Sequence, residues 1–397
     1  MGKTIHEQIT RLAEFRLTGE WLYQVAFILI LTVSFLQTST YTDFFAPSTL
    51  HRILFIGLGL IYFKIIFLDR HHAWSVIGNL CVLAFLFVTW RSSHDFMIVV
   101  MGSLILGIRG ENFRQIIRLY LIVGTISLIG IFLAAELRII PNLVFVRDTT
   151  NVVRHSFGII YSTDFAAHVL YLVLAHCYLR FDRLRGYHYF SYLIVAIFVW
   201  QTTDARLDAL AIVLLVPVVW LGKRAATGHL LARLISGFYW LAPALGSYVV
   251  IWLTYFYHPS NHLLEKLNHV LSGRLQFGRM AFERYKITNF GQAVQENGYG
   301  AGVGAKQNIT NYFFIDSSFL RLLIVFGIIA LFVVVVIMMK ISWQSIQLND
   351  YALASIMVIV TVSAILEQRL IDIAYDPFLL AFLATSSDQL VLKEKKF

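Results

Sequence analysis

Apolar runs follow one another from residue 21 to residue 384, separated mostly by short polar breaks, and this succession constrains the chain more than any other feature. Their lengths approach the roughly 17–25 residues that a membrane-crossing helix needs. In hydrocarbon every backbone N–H and C=O must be satisfied within the chain, which leaves helices as the economical solution. The runs lie at about 21–36, 50–68, 74–90, 96–108, 116–135, 158–179, 189–200, 207–221, 238–257, 319–339, 351–366 and 374–384. The fourth, seventh and twelfth are short for a crossing. Only 14% of residues are charged, far below what the surface of a soluble domain of 397 residues requires. The sequence therefore predicts an all-α polytopic membrane protein of about 12 transmembrane helices, organised as a single integral membrane domain over 1–397.

Ile5, Ile9 and Leu12 recur at helical spacing among Glu7, Arg11 and Glu14. That pattern predicts a short amphipathic helix within 1–20, lying on the membrane before the first crossing, and no signal-peptide cleavage pattern follows. Basic residues recur on alternate connections: Lys3, Arg11 and Arg16, then Arg109, Arg114 and Arg118. Next come Arg180, Arg183 and Arg185, then Lys223, Arg224 and Arg233, and finally Lys393, Lys395 and Lys396. The positive-inside rule assigns that face, with both termini, to the cytoplasm. A formal charge of +9 suits anionic lipids and anionic substrates. No basic arm is present to bind nucleic acid. Cys81 and Cys177 both fall in apolar runs and read as packed thiols.

The one long polar segment, 258–317, falls on the opposite, outward face. It carries Ser272-Gly273-Arg274, then Arg279 and Arg284, a glycine-rich stretch at 298–304 containing Tyr299, and Asp316 at the entry to the next apolar run. Arginine should be scarce on that face, yet Arg138, Arg147, Arg154, Arg206, Arg321 and Arg369 fall there too. Arg52, Arg91, Arg138 and Arg369 read as snorkelling side chains or lipid-phosphate contacts. Arg154, Arg206 and Arg274 sit in patterned surroundings, and a guanidinium is the side chain best shaped to grip phosphate. Past Arg154-His155-Ser156-Phe157-Gly158, Asp164 and His168 are one helical turn apart and share a face, either as a mutual buried pair or turned to a cavity.

Arg-x-Ser-x-Gly entering a span, Thr-x-x-Ala-Arg opening a later one, Ser-Gly-Arg in a long loop, Gly-Tyr-Gly, and Asp-Ser-Ser-Phe-Leu-Arg-Leu-Leu-x-x-x-Gly-Ile at 316–328 occur in that order. The series resembles the Wzy-type polysaccharide polymerases, membrane enzymes of the O-antigen polymerase and ligase superfamily, over roughly residues 154–377. The resemblance implies a GT-C-like helical fold in a bacterial cell membrane and an inverting, metal-independent glycosyltransferase working on the outer leaflet. The implied donor is a glycan on undecaprenyl pyrophosphate and the acceptor a single lipid-linked repeat unit. A chain-length regulator and a flippase are candidate partners, and no cofactor is implied. Arg154, Arg206 and Arg274 correspond to the external-loop arginines of the family. Ligases carry His-Asn where this chain has Asp316-Ser317, which favours polymerase over ligase, and the usual Ser-Arg of the second motif reads Ala205-Arg206 here.

Glycosyl transfer asks for charge stabilisation of the leaving group and a base for the attacking hydroxyl. Arginines can supply the first. Asp43 stands alone in its external loop, where metal-dependent members of this fold class often carry two acids, so no metal site is expected. For the base, Asp316 comes first, then Glu367, then His155 and Asp204, although Asp204 can equally pair locally with Arg206. The glycines lack the strand–helix context of a nucleotide fingerprint. Tyr255, Phe256, Tyr257, Tyr299, Tyr312, Phe313 and Phe314 read chiefly as interfacial anchors. A lipid-linked oligosaccharide flippase is the competing class, with Lys64 and Asp164 as candidates for mid-span charge. The glycosyltransferase reading makes one geometric demand: Arg154, Arg206, Arg274 and Asp316 should converge.

Overall fold

The computed structural model describes residues 18–69, 72–147, 151–298 and 311–385. The amphipathic helix expected near the N-terminus, Tyr299 and the rest of the glycine stretch beyond Gly298, and the C-terminal lysines lie outside the described residues.

Helices form where the apolar runs predict them. They are α1 (Gly19–Gln37), α2 (Pro47–Phe63), α3 (Ala73–Ser93), α4 (Met97–Gly107) and α5 (Phe113–Glu136), then a hairpin of β1 (Val144–Val146) and β2 (Val153–His155). After the hairpin come α6 (Ser162–Arg180), α7 (Gly186–Thr203), α8 (Arg206–Ala226), α9 (Leu230–Ser236) and α10 (Ala242–Tyr255). The long loop holds α11 (His262–Val270) and α12 (Arg274–Arg284). It leads to the short α13 (Ser318–Ile324), then α14 (Ile328–Gln347) and α15 (Tyr351–Leu366). Among the described residues, seven helical segments are long and apolar enough to cross a membrane, which makes this a multi-pass membrane protein by length and composition.

Position in the bundle explains the departures from that length. Helix α15 has only 16 residues, about 24 Å at 1.5 Å each, but it sits at the centre, buried on nearly every side and packed against α8, α10 and α14. Its small residues let neighbours approach closely, as is usual where lipid supplies no hydrophobic drive between helices. A side chain in place of Gly222 on α8 would collide with the Ser355 hydroxyl on α15. Helix α3 is peripheral, with only 11% of its apolar window buried, and Cys81 on it is exposed, not packed as expected.

Two runs differ from expectation. The run beginning at 319 starts as short α13, and the long helix begins only at Ile328. Gly327 stands between them at φ 93°, pressed against the backbone of Asn289 and Gly291, so the chain turns there before the crossing starts. The twelfth run forms no long helix. From the turn at Glu367–Arg369, segment 370–385 runs the depth of the bundle with one 3-10 helix, Phe378–Phe382. Its far end is held by Thr385, whose N–H donates to Glu111 O at 2.8 Å and whose carbonyl accepts from Phe113 N–H. Irregular backbone is tolerated at such depth when protein surrounds it, and Leu370, Ala374, Tyr375 and Phe378 are fully buried.

The alternating passes collect Arg154, Arg206, Arg274 and the long loop at one end, called the loop end. Arg109, Arg114 and Lys223 collect at the other, each bonded to a neighbouring segment there: Ser75 Oγ, Leu179 O and Leu184 O. Lys64 also belongs to this far end and not to mid-span. It lies in a π-helical turn, Lys64–Leu68, and reaches Asp69 at 2.9 Å, Glu111 at 3.3 Å and the carbonyl of Gly107 at 2.8 Å.

Candidate functional site at the loop end

Arg274 opens α12 immediately after Ser272 and Gly273, both at positive φ, a tight turn that swings the side chain back over the end of α15. Its Nε donates to Leu366 O at 2.7 Å, Nη2 to Glu367 Oε1 at 2.6 Å and Nη1 to Leu271 O at 3.3 Å. Asp316 Oδ2 lies 4.0 Å from the same Nε. Arg154 arrives from the hairpin. Alternation along β2 turns it inward, where Nε donates to Thr203 O at 3.0 Å, Nη1 to the Tyr161 hydroxyl at 3.1 Å, and the guanidinium lies over the Tyr161 ring. Arg154 and Arg274 are both charged neighbours of Glu367 and of Asp208, a buried acid in the first turn of α8. The two arginines, Glu367, Asp208 and Asp316 thus form one cluster.

Electrostatics there follow from burial. Loss of water pushes the Glu367 carboxyl up to about 7, against the lowering by Arg274. Burial also raises the Asp316 carboxyl, again opposed by Arg274. For Arg274 itself burial acts downward, but Glu367, Asp316 and Asp208 outweigh it and hold the guanidinium firmly charged. A carboxyl near neutrality beside fixed cations is the arrangement that proton transfer at physiological pH requires.

Arg206 does not enter this cluster. Its Nε pairs with Asp204 Oδ1 at 2.9 Å, and the side chain is 49% exposed. Asp204 caps α7 at positive φ and also holds Arg147 at 2.9 Å, so two guanidiniums occupy the acid that was a candidate base. The groups adjoin nonetheless: Arg154 bonds Thr203, the residue before Asp204, and both Arg154 and Arg206 are charged neighbours of Arg147. His155 follows Arg154 on β2 and its ring stacks on Phe157 at 5.7 Å, away from the cluster.

Asp164 and His168 do not pair with each other. Arg369 takes Asp164 in a buried ion pair, while His168 bonds the Thr38 hydroxyl at 2.9 Å and lies between the rings of Phe35 and Tyr375. Arg369 is accordingly no snorkelling residue; it is 8% exposed. A buried carboxylate gains more from a guanidinium than from an imidazole one turn away.

Beside the cluster opens a cavity of about 640 Å³, within the usual range for ligand sites. It adjoins through Gln368 and Arg369, which follow Glu367, and through Glu296 and Arg321, the charged neighbours of Asp316. Arg321 grips both oxygens of Glu296 at 2.8 Å and reaches Asp95 at 3.3 Å. Asp43 lines the same cavity, so it is alone only along the sequence. Asp208, Asp95 and Glu296 join the site beyond the residues that motif and position mark in the sequence. Asp208 did carry a signal, an ionisable group within an apolar run; Asp95 and Glu296 acquire meaning only through Arg321, 226 and 25 residues away.

Comparison of the chain with protein-family models, curated proteins and solved structures gives no match.

Proposed function

We propose that this protein is a glycosyltransferase of the Wzy polymerase type, GT-C-like in architecture, with twelve passes and both termini on the cytoplasmic side of a bacterial cell membrane. Its loop end faces outward and elongates a glycan carried on undecaprenyl pyrophosphate. The observation that carries the reading is the meeting of Arg154 and Arg274, 120 positions apart, around Glu367 and Asp208 with Asp316 at the edge. Arg274 and Arg154 are fixed by backbone carbonyls, so their remaining N–H donors are oriented before substrate arrives, as electrostatic catalysis demands. The acceptor hydroxyl attacks the anomeric carbon, and the bond from that carbon to the phosphate oxygen breaks. The electron pair leaves with the pyrophosphate, beside the arginines, and the hydroxyl proton passes to Glu367 or Asp316. Exposed Arg206, with Arg147, suits capture of the lipid phosphate at the approach. A chain-length regulator and a flippase are the partners this activity calls for.

The test is purified protein with a lipid-linked repeat unit, assayed for product ladders with and without chelator. Ladders establish the activity, and their loss with chelator would overturn the metal-independent mechanism. R154A and R274A should abolish long glycan while single lipid-linked repeats accumulate. Transfer to a non-repeat acceptor in place of ladders would make it a ligase, against which Asp316-Ser317 stands. One observation favours a second reading, translocation of a lipid-linked oligosaccharide: the non-helical pass 370–385 carries buried Asp376, and unwound passes with buried acids are familiar in transporters. Movement of labelled lipid-linked oligosaccharide across proteoliposomes without ladder formation would select it.

A further inference from the structure

We propose that the cavity beside the arginine cluster receives the acceptor end of the substrate, and that it is built for a sugar bearing hydroxyl or amino groups and no carboxylate. This rests on the glycosyltransferase reading and adds a substrate class to it.

Among the described residues, Asp43, Asp95, Asp164, Glu296 and Asp372 line the cavity, with the guanidiniums of Arg321 and Arg369 and the imidazole of His51. Five carboxylates face two arginines, a surplus of three negative charges. Both arginines are also engaged: Arg321 by Glu296 and Asp95, Arg369 by Asp164. A uronic acid entering here would meet like charge on several sides and find no free guanidinium fork. Neutral sugar hydroxyls, in contrast, are donors, and hydrogen bonds to ionised acceptors are the stronger kind. An ammonium group gains further from the surplus.

Unused polar groups point the same way. Arg369 Nε and Gln368 Oε1 are buried without a protein partner, and both residues line the cavity. One donor and one acceptor on consecutive residues supply the two functions that a sugar hydroxyl asks for, since it gives one hydrogen bond and takes another. Phe96, half-buried at the cavity wall, supplies flat apolar surface on which the C–H face of a pyranose can rest. Placement completes the argument. Gln368 and Arg369 directly follow Glu367, and Glu296 and Arg321 are charged neighbours of Asp316, so the cavity borders the cluster that holds both candidate bases.

The experiment measures binding of three free trisaccharides to the full-length protein in nanodiscs without any lipid-linked donor: maltotriose, the chitosan trisaccharide and trigalacturonate. The neutral and amino sugars should bind at least tenfold more tightly than the uronate. D43N, a change at the exposed rim that disturbs no ion pair, should weaken the chitosan trisaccharide severalfold more than maltotriose. The double variant D95N/E296Q frees Arg321 and should move the preference toward trigalacturonate by tenfold or more. Equal or tighter binding of the uronate to the unaltered protein overturns the proposal, as does failure of all three sugars to bind. Unchanged preference in both variants overturns it too. The two readings separate cleanly. If sugars bind in this pattern and no ladder forms from lipid-linked repeat units, the cavity is still a carboxylate-excluding sugar site and the polymerase reading fails. If ladders form and the pattern is absent, the cavity proposal fails alone.

Discussion

Glu367 gives the sharpest prediction because its two roles respond to pH with opposite signs. Burial lifts its carboxyl from 4.5 to about 7. As the proposed base it works only when ionised, so under that proposal the rate of glycan extension should climb about tenfold between pH 6 and pH 8, from about a tenth ionised to about nine tenths. Folding runs the other way. A carboxyl whose pKa is raised in the folded state holds its proton more tightly there. The stability it contributes is full below the unfolded value and is lost as pH rises through about 7. At about 1.36 kcal/mol for each decade, that loss is on the order of 3 kcal/mol. E367Q mimics the neutral acid: it should abolish extension and should not show the fall in unfolding temperature that the unaltered protein shows as pH rises from about 5 to 7.5. The assays are ladder formation from lipid-linked repeat units and thermal unfolding in detergent, both scanned from pH 5 to 8.5. A flat rate profile, or an E367Q protein that keeps the rise, would refute the base assignment. Loss of activity in D316N with activity retained in E367Q would transfer the role to Asp316.

Replacing Arg274 by Lys keeps the charge but not the three-pronged grip on Leu366, Glu367 and Leu271, so turnover should fall by about 10²–10³ with near-normal expression. R279A on the same helix removes an exposed i,i+4 pair with Glu283 and a contact with Tyr255, both outside the cluster, and should leave turnover within twofold. R206A should raise the concentration of lipid-linked donor needed for half-maximal rate more than it lowers the maximal rate, read from a donor titration. D164N strips the buried Arg369 of its partner and should destabilise by about 3–5 kcal/mol, measured as loss of folded protein on heating. G327A puts a side chain at φ 93° against the Asn289 backbone, and thermal unfolding should show a loss of more than about 1 kcal/mol.

Helices were legible in the sequence because apolar run length in a membrane leaves the backbone little choice, and the motif arginines stood out because they oppose the topological bias. What the runs could not reveal was where length stops mattering. Residues 374–384 are as apolar as a crossing helix, but protein buries 374–380 fully and 381–384 in part, so their backbone need not be helical. Partner choice was equally hidden. Asp164 and His168 share a face by spacing alone, and nothing local announces that Arg369, 205 residues away, will claim the acid. Arg154 and Arg274 come together through α8 and the end of α15, a three-body arrangement that no single segment encodes. Arg206, the motif arginine tied to a neighbour two residues away, was the one whose local context did speak, through Asp204.

The end of α15 also explains why the long loop and the site cannot be separated. A helix terminus leaves its last carbonyls without partners, and a helix that continued past Leu366 would bury those carbonyls in its own ladder. Stopping at Leu366 exposes them to the loop. Leu366 O accepts from Arg274, and Glu367 O accepts from the N–H and hydroxyl of Ser318, two residues beyond Asp316. The loop is thereby fastened at two points, Arg274 and its C-terminal edge, to the turn whose carboxyl lies between Arg274 and Arg154. A helical twelfth pass joined directly to α15 would remove those acceptors and let the loop go. The irregular pass 370–385 is therefore part of the site's construction: it lets the central helix end at the depth where two arginines and a half-neutral carboxyl must meet.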